Sequence, residues 1–434
     1  MANPIRAVGL DFGTTNSAIA IVGDDGAPRL AQFVADSAGA PPTETFRSIL
    51  FFESTEETGG TESAVSVGNE AIRRYLAASG NGRLVQSLKS FLADRTFHTT
   101  DIMGEDYSLG DLIAPILVEL RRAAEKQFGA LPARVVVGRP VHFADAMTAG
   151  DDTAACARLD VAIRRAGWEE VAFEYEPVGA AYDYAARLDR DETVMIADFG
   201  GGTSDFSILR LGATRPGDAP SYKILGNDGV ALAGDAFDGR MMHHLVAPAL
   251  GRGSRYRSPY GMVLPAPTWP YTRLERWHYL SLLKAPATIT RLKQLVRESM
   301  EPEKIAAFLH IIENDLGYYL FRSVEKTKLA LSDLESADFN FADPPIEIVR
   351  SVRRPEFERW IAAHLEEIAR CVDRLTRAVG IAPAQIDSVF LTGGSSFVPA
   401  VRTIFAQRFG AERIRMGNEF TSVARGLALR ALSA

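Results

Sequence analysis

Near its start the chain reads GLDFGTTNSAIAIV, Gly9 to Val22: an apolar run ending in aspartate, a turn with glycine and threonine, and a second apolar run. Almost the same pattern returns as MIADFGGGTSDFSILRL, Met195 to Leu211. Two short apolar runs joined by a glycine-bearing turn read as a β-hairpin, so each stretch predicts one. Asp11 and Asp198 stand 187 residues apart, too long a period for a stacked repeat and of the size a duplicated domain gives. Aligning the two aspartates puts Thr14 near Gly202 and Thr15 on or beside Thr203. Two similar halves facing each other are therefore expected.

The rest of each half repeats an order as well. After the first hairpin, short apolar strands alternate with helical patterns, as in SILFF (Ser48 to Phe52) and DLIAPILVELRRAAEKQF (Asp111 to Phe128), which is the signature of an α/β class. ARVVVGRPVHF, Ala133 to Phe143, predicts a buried strand broken at Gly138 and Pro140, followed by a helix to about Ala166. Its counterpart is DSVFLTGGSSFVPAVRTIFAQRF, Asp387 to Phe409: strand, a Gly393-Gly394 turn, then helix. The second half is longer between these landmarks. Its surplus includes Gly261 to Leu283, where Trp269, Tyr271, Trp277 and Tyr279 sit among prolines. These aromatics are expected to anchor a small core, with a partner surface as the alternative. EPVGAAYDYAARL (Glu176 to Leu188) and SVARGLALRALSA (Ser422 to Ala434) carry Gly179, Ala180 and Ala181, and Ala424 and Gly426. Two helices could cross closely there and slide, or simply be rich in alanine.

Composition narrows the function classes. With 434 residues, 47% hydrophobic and 24% charged, the chain is expected to fold as two or more globular domains. A net charge of −7 without a long basic tract argues against a nucleic-acid backbone as partner, and RGSRYR (Arg252 to Arg257) reads as a solvated loop. Cys156 and Cys371 are the only cysteines and have no metal spacing, so two plain buried thiols are expected. The chain enters a strand almost at once and has no run of roughly 18 apolar residues. A reduced, cytoplasmic protein away from membranes is the expectation, its oligomeric state open.

The turns themselves suggest chemistry. Outward backbone N–H groups bind anions, and glycine lets a phosphate approach them closely. An aspartate just before such a turn repels phosphate unless a cation stands between, so Asp11 and Asp198 imply a metal, most simply Mg²⁺ held through its waters. No GxxxxGK[ST] occurs, which excludes a P-loop.

Together GLDFGTTNS, DFGGGTSDFSIL, VFLTGGSSFVP, YEPVGAAYDY and VVVGRPVHFAD resemble the actin-like ATPase superfamily and, within it, the nucleotide-binding domain of the heat-shock-seventy chaperone family. The likeness runs from about Val8 to Gly426. It implies an α/β, actin-like ATPase fold of two duplicated lobes around a nucleotide cleft, with an insertion in the second lobe. Lobe I would span 1–188 with the C-terminal helix of about 420–434 returning to it, and lobe II 189–419 with an inserted subdomain of about 229–340. The resemblance implies ATP or ADP as ligand with Mg²⁺, and K⁺ as a further candidate ion. Asp11 and Asp198 would hold the metal. Gly13, Thr14, Thr15, Asn16, Gly200, Gly201, Gly202 and Thr203 would hold phosphates. Lys89, in SLKSFL, would stabilise charge on the γ-phosphoryl group, and Glu176, Asp198, Thr203 and Asp205 would orient water or share its proton. Gly234, Glu325, Lys328, Ser332, Gly393, Gly394 and Ser395 would border the nucleoside; without the resemblance, Glu325 and Lys328 are an exposed i, i+3 pair.

The chain also departs from that family. It stops at Ala434, so no peptide-binding domain is expected; the arginine that follows the family's switch proline is replaced at about Thr148; and arginines near adenine become Leu329 and Phe397. The layout is similar to the YegD-type group of stand-alone nucleotide-binding domains. It implies a slow ATPase that switches lobe closure and the binding of an unidentified protein partner. A small-molecule kinase, with Asp205 or Asp198 as base, and an ATP-dependent actin-like filament protein are the alternatives.

Overall fold

Strand Ile5–Asp11 (β1) is apolar on both faces, as a strand covered from two sides must be, and Ala7 to Leu10 are buried. It turns back antiparallel into Asn16–Gly23 (β2), which pairs antiparallel with Pro28–Leu30 (β3). On its other edge β1 runs parallel to Arg134–Arg139 (β4), itself parallel to Glu170–Tyr175 (β5). The structure, a computed structural model, describes residues 4–35, 41–53, 64–78, 82–186, 188–212, 221–276, 279, 283–416 and 421–432.

A second sheet repeats this plan. Glu192–Phe199 (β6) pairs antiparallel with Ser204–Leu211 (β7), and β7 antiparallel with Tyr222–Val230 (β8). On the other edge β6 is parallel to Ser388–Thr392 (β9), and β9 to Ile414–Met416 (β10). The strand orders β3-β2-β1-β4-β5 and β8-β7-β6-β9-β10 match in sequence and in sense. Their hairpins match in register too: Asp11 lies opposite Ala18 and Asp198 opposite Asp205, so one shift of 187 superposes both pairs. That register narrows the alignment to one position each, placing Thr14 at Gly201, beside Gly202, Thr15 at Gly202, next to Thr203, and Asn16 at Thr203.

Two helices cover the first sheet's outer core. Leu109–Phe128 starts at a Ser108/Asp111 capping box and Ala149–Arg165 at a Thr148/Asp151 box, each satisfying two backbone donors left open at a helix start. Thr148 thus serves as a helix cap. The fully buried Trp168 packs into the same core, with the Arg121 guanidinium 5.1 Å from its ring centre. Helix Glu176–Ala185 crosses helix Ser422–Leu432 with backbones in contact, because a Cβ on Gly426 would collide with the Gly179 carbonyl oxygen. The small residues therefore serve a close crossing, not merely an alanine-rich composition.

By contacts the chain forms two compact units, one of Met1–Ala233, Glu367–Ser396 and Val401–Ala434, the other of Gly234–Glu366 with Phe397–Ala400. Both five-stranded paths belong to the first. In the second, Tyr271 is buried, stacks on Phe308 at 5.1 Å and donates to the Leu250 carbonyl, as a core anchor should. Trp269 instead lies on the surface with Arg273 against its ring; Trp277 falls outside the described residues. Two expectations are corrected. RGSRYR is not a plain loop, since Arg255–Arg257 pairs with Val263–Pro265 and Arg252 bonds to His243. Cys371 is buried but Cys156 only half-buried. Among the described residues no helix is long and apolar enough to cross a membrane.

Candidate functional site

Open α/β sheets bind ligands beyond the carboxyl ends of their strands, where chains leave in different directions and the backbone is free to turn. The first unit gathers its polar residues there. Asp11 ends β1, Pro140 follows β4, Glu176 follows β5, and Asp198 stands one residue from the end of β6. Gly393, Gly394 and Ser395 follow β9, whose Thr392 pairs with Asp198. Lys89 comes from neither sheet. A tight helical turn, Leu88–Phe91, entered through Ser87 with φ of +55°, carries it.

Lys89 and Glu176 lie 87 residues apart in the chain, yet Lys89 Nζ stands 2.7 Å from Glu176 Oε1, with both side chains buried. Burial alone would depress the lysine; the Glu176 and Asp11 carboxylates nonetheless hold its pKa above the ordinary value. The three aspartates around this pair shift upward, opposite to a carboxylate held by a salt bridge. Burial, then Glu176, pushes Asp11 up to about 7 and Asp205 up to about 7. Asp198 rises well above the carboxylate range through burial, then Glu176, Asp11 and Asp205. One Asp205 oxygen accepts the Val141 N–H at 2.6 Å, while the other is buried without a hydrogen bond. Four carboxylates around one lysine leave excess negative charge out of water, which is costly unless a cation relieves it.

This donor set fits a hydrated divalent ion. Among the described residues no three His, Cys, Asp or Glu side chains converge closely enough to ligate a metal directly. Asp11 and Asp198 could instead hold an ion through its own waters, the coordination Mg²⁺ favours because it dehydrates reluctantly.

The hairpin-turn residues come together around Gly202. A Cβ there would stand 3.5 Å from Ser90 Oγ and 3.6 Å from Thr14 Oγ1, so the turn carrying Lys89 and both hairpin turns meet at this glycine. Each hairpin turn is closed from inside: Gly13 N–H donates to Ser17 Oγ at 3.2 Å, and Gly200 N–H to the Thr203 carbonyl at 3.0 Å. The Thr15 carbonyl accepts the Ser48 N–H, and Asn16 Oδ1 accepts from Arg47. Gly201 completes the second turn. Ser90, the neighbour of Lys89, was not singled out from the sequence, because an isolated serine carries no periodic or spacing signal.

The remaining residues lie in the second unit. Lys328 is not paired with Glu325 on an exposed face: its ammonium stands 2.7 Å from Asp238 Oδ2 and 3.4 Å from the Gly234 carbonyl, and it is mostly buried. Glu325 pairs with Arg322 at 3.1 Å, and Ser332 Oγ donates to the Lys328 carbonyl. Asp238 went unnoticed in the sequence, although it sits on the same short helix that Gly234 opens, Gly234–Met241. Beside it, burial and then Asp238 push Asp235 up to about 6. Leu329 is half exposed and, with Glu325, Tyr319 and Phe341, borders a cavity of about 800 Å³.

A family model for the Hsp70 protein matches residues 7–251 and 313–432. The chain belongs to the Hsp70 family. The two matching sheets are accordingly those of the actin-like ATPase fold of Hsp70 proteins, and the family's common properties, ATP or ADP binding with a divalent metal and chaperone-like ATPase activity, frame the site. Every candidate residue named above lies within the matched segments. Residues 252–312, with the short hairpin around Arg255 and the buried Tyr271, lie outside them.

Proposed function

We propose that this Hsp70-family protein binds ATP with Mg²⁺, hydrolyses it slowly to ADP and phosphate, and uses the change to switch lobe closure and the binding of a protein partner outside the cleft. The observation that carries this reading is the buried Lys89–Glu176 pair inside a cluster of three further carboxylates at the strand ends. A lysine is rarely buried without a task for its charge. In this reading the metal, held through water by Asp11 and Asp198, neutralises phosphate charge; K⁺ is a second candidate ion.

The protein's own groups supply position and field, which is most of what phosphoryl transfer asks of an enzyme. The turns Gly13 to Asn16 and Gly200 to Thr203 grip the phosphates with the hydroxyls of Thr14, Thr15 and Thr203 and with N–H groups other than those of Gly13 and Gly200, which close the turns from inside. Lys89 steadies charge on the γ-phosphoryl oxygens, held in place by Glu176. Asp205 and Glu176, whose partners leave acceptor capacity, orient the attacking water and receive its proton. Gly234, Glu325, Lys328, Ser332, Gly393, Gly394 and Ser395 border the nucleoside. Lobe I, 1–188 with the closing helix, would move against lobe II, 189–419.

Calorimetry with Mg²⁺ and ATP, followed by single-turnover kinetics, tests the reading. Absence of heat and of any thermal shift at millimolar ligand overturns it. Lys89→Ala should keep ATP affinity within a few-fold while turnover falls about 10²- to 10³-fold. Because that change strands the Glu176 carboxylate, the pair Lys89→Ala with Glu176→Gln serves as its folding control. Equal loss of binding and turnover would make Lys89 a ground-state contact only.

A further inference from the structure

One helix of the first unit, Ala149–Arg165, touches both sides of the proposed chemistry through side chains that no motif contains. Asp152, buried in its first turn, accepts the Phe143 N–H on Oδ1 at 2.8 Å and faces His142 Nδ1 with Oδ2 at 2.9 Å. These bonds pin two consecutive residues of the segment after β4. The residue just before them, Val141, donates its N–H to Asp205 at 2.6 Å. Two turns along the same helix, the Arg158 guanidinium donates to the carbonyls of Leu92 at 3.1 Å and Asp94 at 2.7 Å, with Phe91 at 3.5 Å. The Leu92 and Asp94 carbonyls lie at and just past the end of the turn that carries Lys89, and the guanidinium holds that end in place, while the Phe91 carbonyl also accepts the Asp94 N–H. A further link ties the two: Arg95, just beyond that turn, pairs with Asp151 at 2.5 Å, and Asp151 also accepts the N–H groups of Met147 and Thr148.

We infer that Asp152 and Arg158 are positioning residues of the ATPase, Asp152 setting Asp205 through the Val141 N–H and Arg158 setting Lys89 through the carbonyls behind its turn. This rests on the reading that Lys89 and Asp205 act on the phosphate. Neither residue is among those that would hold the nucleotide. The helix is a rigid strut, and its two side chains hold the lysine and the carboxylate in a fixed mutual geometry. Such geometry matters because a displacement of about 1 Å at reacting groups costs on the order of 10²-fold in rate while leaving binding largely intact.

The full-length chain with Mg²⁺-ATP serves for the test. Asp152→Ala and Arg158→Ala should each lower kcat about ten-fold or more, with KM for ATP within about two-fold and the melting temperature of the nucleotide-bound protein little changed. Asp152→Asn keeps an acceptor for the Phe143 N–H, and Arg158→Lys keeps a cation at the carbonyls, so both should recover most of the loss; they also stand in should an alanine variant fail to fold. Coupling decides the matter. Arg158→Ala should cost little further in a Lys89→Ala background, and Asp152→Ala little further in an Asp205→Asn background, because an indirect effect disappears once its target is gone. Full, additive losses in those backgrounds, or losses of kcat that follow stability alone, overturn the inference. Absence of turnover in the unaltered protein would instead sink the ATPase reading itself.

Discussion

The two hairpin turns share one backbone and differ in what they place on it. Asp11 and Asp198 are equivalent, and their strands carry the same register, yet the residue across the ladder is Ala18 in the first copy and Asp205 in the second. The turns differ in tightness as well. A Cβ on Gly13 would collide with the Asn16 carbonyl oxygen, whereas at the equivalent Gly200 it would stand 3.4 Å from the Thr203 carbonyl, an ordinary contact. Duplication supplied a symmetric frame with one carboxylate from each half. Divergence then made the first turn a tight one with threonine hydroxyls and gave the second an open run of glycines and an extra buried acid. A two-fold frame can hold a diphosphate from both sides, but hydrolysis is directional, so the two copies are expected to carry different groups toward the terminal phosphate.

The strongest way to break this comparison is to restore the symmetry in the wrong direction. Ala18→Asp places in the first copy the carboxylate that the second carries, but at a buried site in an apolar cluster with Ala7, Ala20, Ala424 and Ala428. Urea unfolding should show a loss of about 3–5 kcal/mol, the cost of an uncompensated buried charge. A loss below 1 kcal/mol would mean that the two sides are electrostatically alike. The reverse exchange comes next in size. Asp205→Asn keeps an acceptor for Val141 and removes the charge, so ATP turnover should fall about 100-fold while the ligand-free protein melts higher. The stability rise is the informative half, since a group kept for function at the expense of the apo fold stabilises when neutralised.

The glycines sharpen the comparison at a smaller scale. Gly13→Ala should destabilise the fold by about 1–3 kcal/mol through overpacking against the Asn16 carbonyl. Gly202→Ala meets only ordinary contacts at 3.5 Å and 3.6 Å, so stability should hold within about 0.5 kcal/mol while ATP affinity drops roughly ten-fold, because the new methyl occupies space at the meeting point of the turns. If both variants lose stability alike, the second turn is as tight as the first. The smallest effect concerns the base. Leu329 is half exposed, and Leu329→Arg should add a stacked cation worth about 0.5–1 kcal/mol, tightening ATP about two- to five-fold but leaving triphosphate without a base unchanged. Equal tightening of both ligands would show charge alone at work.

Much of the frame was legible because local rules write it. Short apolar runs, turns rich in glycine and helical stretches between them are local patterns, and they marked both hairpins, the β4 strand with the proline after it, and the helices on either side. The close crossing of Gly179 and Gly426 was legible as small residues, though only contact could separate it from a mere excess of alanine. The exact register between the turns was not, since glycine runs slide freely in an alignment and only the hydrogen-bond ladder fixes them. Lys328 shows the same limit: spacing suggested Glu325 on its own helix, while the buried partner, Asp238, lies 90 residues away in the chain.

What the sequence determined by itself was the duplicated α/β plan and the identity of the residues at its strand ends, because strand and turn formation depend on neighbours along the chain. The meeting of Lys89 with Glu176, the burial that lifts Asp11 and Asp205 to about 7, and the hold of Asp152 and Arg158 on the residues around them were decided only in three dimensions. Charge interactions depend on distance and on exclusion of water, and both are set by how the sheets and helices pack, not by spacing in the chain.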